Sequence, residues 1–295
     1  MDGNHMGLRP HASFWQTTRF RLDLSKPLVM GIVNVTPDSF SDGGQHADGP
    51  GAIAHAERLV REGADLLDIG GESSRPGAAA VDAATEWGRI QGLVEEVVRW
   101  NLPISIDTCK PEVMRAALDA GADIINDIWA LRWPGAAPVV AAHGQCGVCL
   151  MHMHAQPASM QVHPMVGQAF EPVRDFLQHH AQRLQALGVD RERIVLDPGI
   201  GFGKTVAQNF ELLARQSELL ALGHGVLAGW SRKSALGAIT GLDLDQRLAP
   251  SLAAAVLTLE RGARVLRVHD VAQTLAAVKV WQAARPQAPI QPQTA

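Results

Sequence analysis

Between residues 28 and 284, short apolar runs alternate with longer segments whose apolar residues recur at helical spacing. The runs lie at 28–33, 66–69, 104–106, 124–125, 148–151, 194–196, 226–228 and 265–268. Each is short and rich in Val, Ile and Leu, as a strand covered on both faces should be. Stretches such as 52–62, 84–100, 113–120 and 173–187 carry the helical period between them. Strand and helix alternating at this rhythm predict a parallel sheet with helical crossovers. Eight strands in this order fit a single-domain α/β fold, a (β/α)8 TIM barrel, best. A doubly wound sheet also satisfies the pattern by itself.

One local unit recurs at the joints. Gly63-Ala64-Asp65, Gly121-Ala122-Asp123 and Gly262-Ala263-Arg264 each separate a helical pattern from an apolar run. A glycine just past a helix end supplies the left-handed backbone that stops it, so the triplets mark helix-to-strand junctions. Their spacing is too irregular for a solenoid. The ends differ in kind. Residues 1–18 show no period and read as an N-terminal extension; 19–24 reads as a short strand closing the bottom of a barrel that spans 19–285. The tail 286–295, PQAPIQPQTA, is Pro- and Gln-rich and expected to be disordered.

Composition narrows the class. At 295 residues the chain has room for one barrel, which typically takes about 250. With 46% hydrophobic and 19% charged residues and a net charge of -4, it lacks the basic footprint of a nucleic-acid binder or of a protein drawn to an anionic membrane. No run approaches the ~20 apolar residues of a membrane span, and MDGNHMGLRP lacks the apolar core of a signal peptide. Three cysteines, Cys109, Cys146 and Cys149, make no disulfide framework and fit a reducing cytoplasm. Cys146 and Cys149 form a CxxC, but two further ligands at similar spacing are missing and the pair lies in the apolar run CGVCLMHMH, which favours a buried strand over a zinc site.

Chemistry collects where each run ends. The first ends in Asn34, and the second leads into Glu72, Ser73, Ser74 and Arg75. The third gives Asp107, the fourth Asn126 and Asp127, and the fifth His152 and His154. The sixth gives Asp197, the seventh Arg232 and Lys233, and the eighth Arg267 and His269. Any one of these is an ordinary turn residue; a polar end on every strand is not. In a parallel barrel all these ends meet at one mouth, where such folds place their active sites. An ionised Asp inside that mouth costs several kcal/mol unless matched, so Asp107 and Asp197 need partners. Lys233, Arg267 and Arg232 are candidates, and so is a ligand rich in N–H donors.

Two rival motifs fail. DPGIGFGKT resembles a phosphate-binding P-loop, but that pattern needs glycine where the chain has Pro198. Gly199, Gly201 and Gly203 are spaced by two throughout, which is not the dinucleotide fingerprint. His152 and His154 share a strand face without a third His or a carboxylate at metal-ligand spacing.

Seven motifs, in order, carry a resemblance: NVTPDSFSDGG, GGESSRPG, IDTCKPEV, INDI, DPGIGFGK, SRKS and RVHDV. Together they resemble the dihydropteroate synthase family, pterin-binding enzymes of bacterial folate synthesis that sulfonamides inhibit. The resemblance implies a (β/α)8 barrel joining 6-hydroxymethyl-7,8-dihydropterin diphosphate to 4-aminobenzoate, with release of diphosphate and with Mg²⁺ as cofactor. It places Asp107, Asn126, Met151, Asp197 and Lys233 around the pterin. Asn34, Arg267 and His269 fall on the diphosphate, with Asn34 also the Mg²⁺ position. Ser74, Pro76, Phe202, Lys233 and Ser234 fall around the aminobenzoate, and Asp107, Lys233, Arg267 and His269 carry catalysis. It also implies mobile flaps at 35–44, with Phe40 as an apolar lid, and at 73–77, and a homodimer through helices near 250–261 and 271–284, where Val256, Leu257 and Leu259 form an apolar stripe.

Residue chemistry agrees with these roles. A carboxylate accepts two adjacent N–H donors of a planar heterocycle, which suits Asp197, and a guanidinium fork suits phosphate oxygens. Two positions depart from many relatives, Ser74 for Thr and Ile200 for Phe. A corrinoid-dependent methyltetrahydrofolate methyltransferase, a related pterin-binding barrel, is the nearest alternative, but it needs neither the Ser-Ser-Arg-Pro-Gly segment nor the Arg-Val-His pair. A catalytically inactive barrel serving as a scaffold is a second alternative, disfavoured because the polar constellation is intact.

Overall fold

Each apolar run becomes one strand of a closed parallel barrel. In the computed structural model the described residues are 12–36, 49–73, 80–155, 160 and 164–285. A hairpin, β1 (Phe14–Gln16) and β2 (Arg21–Asp23), comes first. The barrel comprises β3 (Leu28–Asn34), β4 (Leu66–Gly70), β5 (Ile104–Asp107), β6 (Ile124–Asp127), β7 (Gly147–Met151), β8 (Ile194–Asp197), β9 (Gly225–Ala228) and β10 (Val265–Val268). Neighbours pair in chain order and β10 closes on β3. This is the (β/α)8 barrel and not the doubly wound sheet.

Outside the strands lie α1 (Gly49–Arg61), α2 (Ala83–Val97), α3 (Pro111–Asp119), α4 (Ala136–Ala142), α5 (Phe170–Ala186), α6 (Val206–Arg215), α7 (Ser234–Thr240), α8 (Leu248–Glu260) and α9 (Val271–Ala283). Local chemistry starts several of them. Asp82 caps α2 by accepting from Thr85 N at 2.7 Å. Thr205 and Gln208 bond reciprocally at the start of α6. Pro111 opens α3, where a missing N–H costs nothing. The junction glycines behave as read: Gly63 and Gly121 adopt φ of 99° and 103° at the ends of α1 and α3.

The period of two along each strand divides the core. Outward residues such as Val29, Leu67, Ile69, Ile104, Ile106, Val148 and Leu196 pack under the helices. Inward residues Met30, Leu66, Ile124, Cys149, Val195, Leu227 and Val265 form an apolar floor, sealed from below by fully buried Trp15. Trp15 donates Nε1 to Arg193 O at 3.0 Å. Two residues further along four of these strands, the inward side chain turns polar. Leu66 is followed by Asp68, Ile124 by Asn126, Val195 by Asp197 and Val265 by Arg267. An apolar floor under a polar upper layer is what confines chemistry to one end of the barrel.

The boundary expected at residue 19 falls within the hairpin. The strand expected at 19–24 forms at Arg21–Asp23 and pairs antiparallel with β1 rather than with the barrel. Arg19, in the turn, donates Nη2 to Asp123 Oδ2 at 2.6 Å and so ties the hairpin to the junction before β6. Most of the expected flaps (37–44 and 74–77) and the tail 286–295 lie outside the described residues. Among the described residues no helix is long and apolar enough to cross a membrane.

Candidate active site

The strand ends converge as their alternation requires, but the pairing among them differs from the simplest expectation. Arg267 on β10 donates Nη2 to Asp107 Oδ2 on β5 at 2.7 Å and Nε to Asp68 Oδ2 on β4 at 2.6 Å. Asp107 is therefore matched by a cation of the protein. Burial pushes its carboxyl up to about 7; the Arg267 guanidinium pulls it back and the Asp68 carboxylate adds to the rise. Arg232, the other candidate partner, is engaged elsewhere: its Nε donates to Asp270 Oδ2 at 3.0 Å, and its Nη2 to Oδ1. Lys233 holds its ammonium 4.3 Å from the centroid of the Phe202 ring. Burial and Arg267 lower its pKa to about 8, against the pull of Asp197 and Asp107.

Asp197 is the unmatched carboxylate. It is 5% exposed and makes no ion pair among the described residues. Its Oδ1 accepts from Gly199 N at 2.7 Å, and Oδ2 has no hydrogen-bond partner among them. Burial raises its pKa, opposed by the Gly199 N–H and then by Lys233 and Lys204. Gly199 is locked in place: φ is +69°, and a Cβ there would lie 1.9 Å from His152 O. Lys204 fixes the same loop from beneath, donating Nζ to Gly199 O at 2.8 Å, Phe202 O at 3.1 Å and His152 O at 3.2 Å. Its role was missed in the sequence, although it ends the DPGIGFGK motif.

Around these groups lie the remaining candidates. Buried Asn126 donates Nδ2 to Asp68 Oδ2 at 3.1 Å. Met151 and Phe202 share an apolar cluster with Met153 and Met160, against which Trp129 packs. This cluster gives a flat guest a polarisable wall. Ser234 opens α7 in an exposed position beside Lys233. Asn34 ends β3, its Oδ1 3.8 Å from where a Gly70 side chain would begin. Ser74 and Pro76 lie outside the described residues.

His269, just past β10, is set by Ser231. The Ser231 hydroxyl accepts from His269 N at 3.2 Å and lies 3.0 Å from Nδ1. The hydroxyl proton is best used on Nδ1, which leaves the ring proton on Nε2. Burial, then Arg267 and Arg232, drive the His269 pKa down to about 3, so the ring is neutral and offers an N–H donor rather than a charge.

Two expected strand-end groups do not join the mouth. Asp127 turns outward and accepts from Trp129 N at 2.7 Å and Leu131 N at 2.8 Å, shaping the loop after β6. His152 also turns outward and packs edge-on to Phe176 with centroids 4.8 Å apart. Ile200 is buried in the outer core, so its departure from the family pattern concerns packing. Cys146 and Cys149 are free and buried, one in the outer core and one in the inner floor. Among the described residues no three His, Cys, Asp or Glu side chains gather as a metal site.

Comparison with known proteins agrees with this geometry. Residues 30–269 match the family described as pterin binding enzyme. The dihydropteroate synthase of Neisseria meningitidis serogroup C is 46% identical over 273 residues, 91% of this chain and 96% of that protein. A Yersinia pestis dihydropteroate synthase crystallised as a sulfonamide drug complex superposes with a TM-score of 0.87 at 44% identity, covering 92% of this chain and 98% of that one. The Burkholderia cenocepacia dihydropteroate synthase complexed with 7,8-dihydropteroate gives 0.82 at 47% identity, over 92% and 96%.

Proposed function

The chain belongs to the dihydropteroate synthase family of pterin-binding enzymes, and from that membership we infer that its barrel mouth condenses 6-hydroxymethyl-7,8-dihydropterin diphosphate with 4-aminobenzoate to 7,8-dihydropteroate and diphosphate. It is a transferase of folate biosynthesis, of the kind sulfonamides target. The relatives' common name favours this reading over the corrinoid-dependent methyltransferase. The observation that carries it in this chain is Asp197, a buried carboxylate whose Oδ2 has no hydrogen-bond partner among the described residues. That oxygen and Oδ1 can take two adjacent N–H donors of the pterin ring side by side.

The other residues take their places from that anchor. Asn126 donates and accepts along the ring edge, Lys233 donates to the ring carbonyl or N5, and Met151 covers its face. Arg267 and His269 hold the diphosphate from one side of the mouth. Phe202 and the stem of Lys233, with Ser74 and Pro76, enclose the aminobenzoate, and Ser234 donates to its carboxylate. Asn34 would hold Mg²⁺: one hard carboxamide oxygen suits an ion that takes most of its ligands from phosphate and water. When bound, the ion neutralises charge on the departing diphosphate.

The C–O bond to the diphosphate breaks first, because the electron-rich dihydropterin stabilises positive charge on its exocyclic methylene. Arg267 and His269 Nε2–H take up charge on the leaving oxygens. Asp107, ionised beside Arg267, offsets the cation. The arylamine attacks, and the resulting ammonium is acidic enough to lose its proton without a strong base.

Mixing the purified protein with the pterin diphosphate, 4-aminobenzoate and Mg²⁺ tests the reading; absence of diphosphate release overturns it. The pH profile of kcat/KM, which reports the free enzyme, is expected to be bell-shaped. Activity rises with pH as Asp107 ionises at about 7 and falls as Lys233 loses its proton at about 8. A flat profile from pH 6 to 9, roughly the window those two groups span, contradicts the pairing.

The cytoplasm is the expected compartment, and a homodimer the expected assembly. Leu257 on α8 and Val280 on α9 are 42% and 72% exposed, whereas Leu259, expected in the same stripe, packs into the barrel. Light scattering on the chromatographed protein should give the mass of two chains, and a monomer mass at all concentrations refutes the dimer.

A further inference from the structure

One acidic side chain at the barrel centre has no place in the reaction as described. Asp68 is fully buried on β4, in the layer directly above the apolar floor. Its Oδ2 accepts from Arg267 Nε at 2.6 Å and from Asn126 Nδ2 at 3.1 Å, and its Oδ1 accepts from Ser105 Oγ at 2.6 Å. The donors come from β10, β6 and β5, so one carboxylate joins four strands. Stability alone is a poor reason for such a group. A buried ion pair is commonly no more stabilising than apolar side chains of the same volume. What Asp68 does provide is direction. With Nε taken by Asp68, the Arg267 fork has only its terminal nitrogens left to offer a ligand. Of these, Nη2 lies on Asp107 and Nη1 has no hydrogen bond among the described residues.

We propose that Asp68 is a positioning residue, whose carboxylate anchors Arg267 through Nε and thereby aims the guanidinium's terminal edge at the diphosphate of the bound pterin. The proposal rests on the function given above. It accounts for why Arg267 touches two carboxylates: the contact with Asp107 can be surrendered to a ligand, while the contact with Asp68 keeps the arginine in place. The neighbouring Asn126 is held by the same oxygen, which sets the pterin edge and the diphosphate anchor in a common frame.

The test uses the full chain and a double-mutant cycle. Wild-type diphosphate release is measured first; its absence refutes the function, not the positioning. Asp68→Asn keeps the shape and an oxygen that still accepts from Asn126, but removes the charge that holds Arg267. It is expected to lower kcat/KM for the pterin diphosphate by about 30-fold in the wild-type background and by less than about threefold in Arg267→Ala. By calorimetry it should weaken binding of the pterin diphosphate, yet change that of 6-hydroxymethylpterin, which lacks the diphosphate, by less than about threefold. Equal losses in the two backgrounds, or equal losses for the two ligands, overturn the proposal. Should Asp68→Asn fail to fold in a thermal melt, Ser105→Ala takes its place, stripping one donor from Asp68 without altering charge. A loss of about three- to tenfold that disappears in Arg267→Ala supports the role, and an additive loss refutes it.

Discussion

Replacing Asp197 by Ala will weaken binding of the pterin diphosphate by about two to four orders of magnitude, because it deletes two hydrogen bonds to a charged acceptor at about 1.5–3 kcal/mol each. The loss should appear for 6-hydroxymethylpterin as well, since the carboxylate addresses the ring and not the diphosphate. Folding should suffer little. The Gly199 N–H loses its acceptor, but a buried carboxylate without an ion partner is also removed, and the two effects oppose each other. Calorimetry of both ligands, with a thermal melt beside it, checks this. A threefold loss or less, on the order of a weak neutral contact, would mean that the ring is held by other groups.

Asp107→Asn is expected to act on the other quantity. Asp107 is matched by Arg267, and Arg267 keeps Asp68 when that contact goes. Ground-state binding should therefore change by no more than about threefold, while kcat falls by about 100-fold as the charge opposing the cationic methylene is lost. The acid limb of the pH profile should vanish with it. Equal losses in kcat and in affinity refute an electrostatic role confined to the transition state.

How legible each residue was in the sequence depended on where it stands. The barrel was legible because fully covered parallel strands leave unmistakable apolar runs. All eight runs became strands, extended by at most one or two residues at an end. The shorter helices were harder. At α4, AAPVVAA is apolar all round, and α7 is brief and contains Gly237, so neither shows a period. Strand ends gave the mouth residues, because a polar side chain after an apolar run is conspicuous. They did not give partners. Arg232 and Arg267 look alike in sequence, yet one closes on Asp270 beside it and the other reaches across the barrel to Asp68 and Asp107.

Asp68 escaped notice in the sequence because it lies within an apolar run and outside the seven motifs; Arg267 lies within a run too, but RVHDV exposes it. The signal was nonetheless present: an acid two residues after Leu66 must share its inward face. Ser231 gave no such signal, since only the return of β10 beside its loop reveals that its hydroxyl sets the His269 ring.

The most direct measurement is a crystal structure of this chain with 6-hydroxymethylpterin diphosphate bound. The carboxylate of Asp197 should accept two adjacent N–H donors of the ring while Arg267 turns its terminal nitrogens to the diphosphate and keeps Nε on Asp68. A heterocycle lodged elsewhere, with Asp197 still bonded only to Gly199, would contradict the assignment at its root.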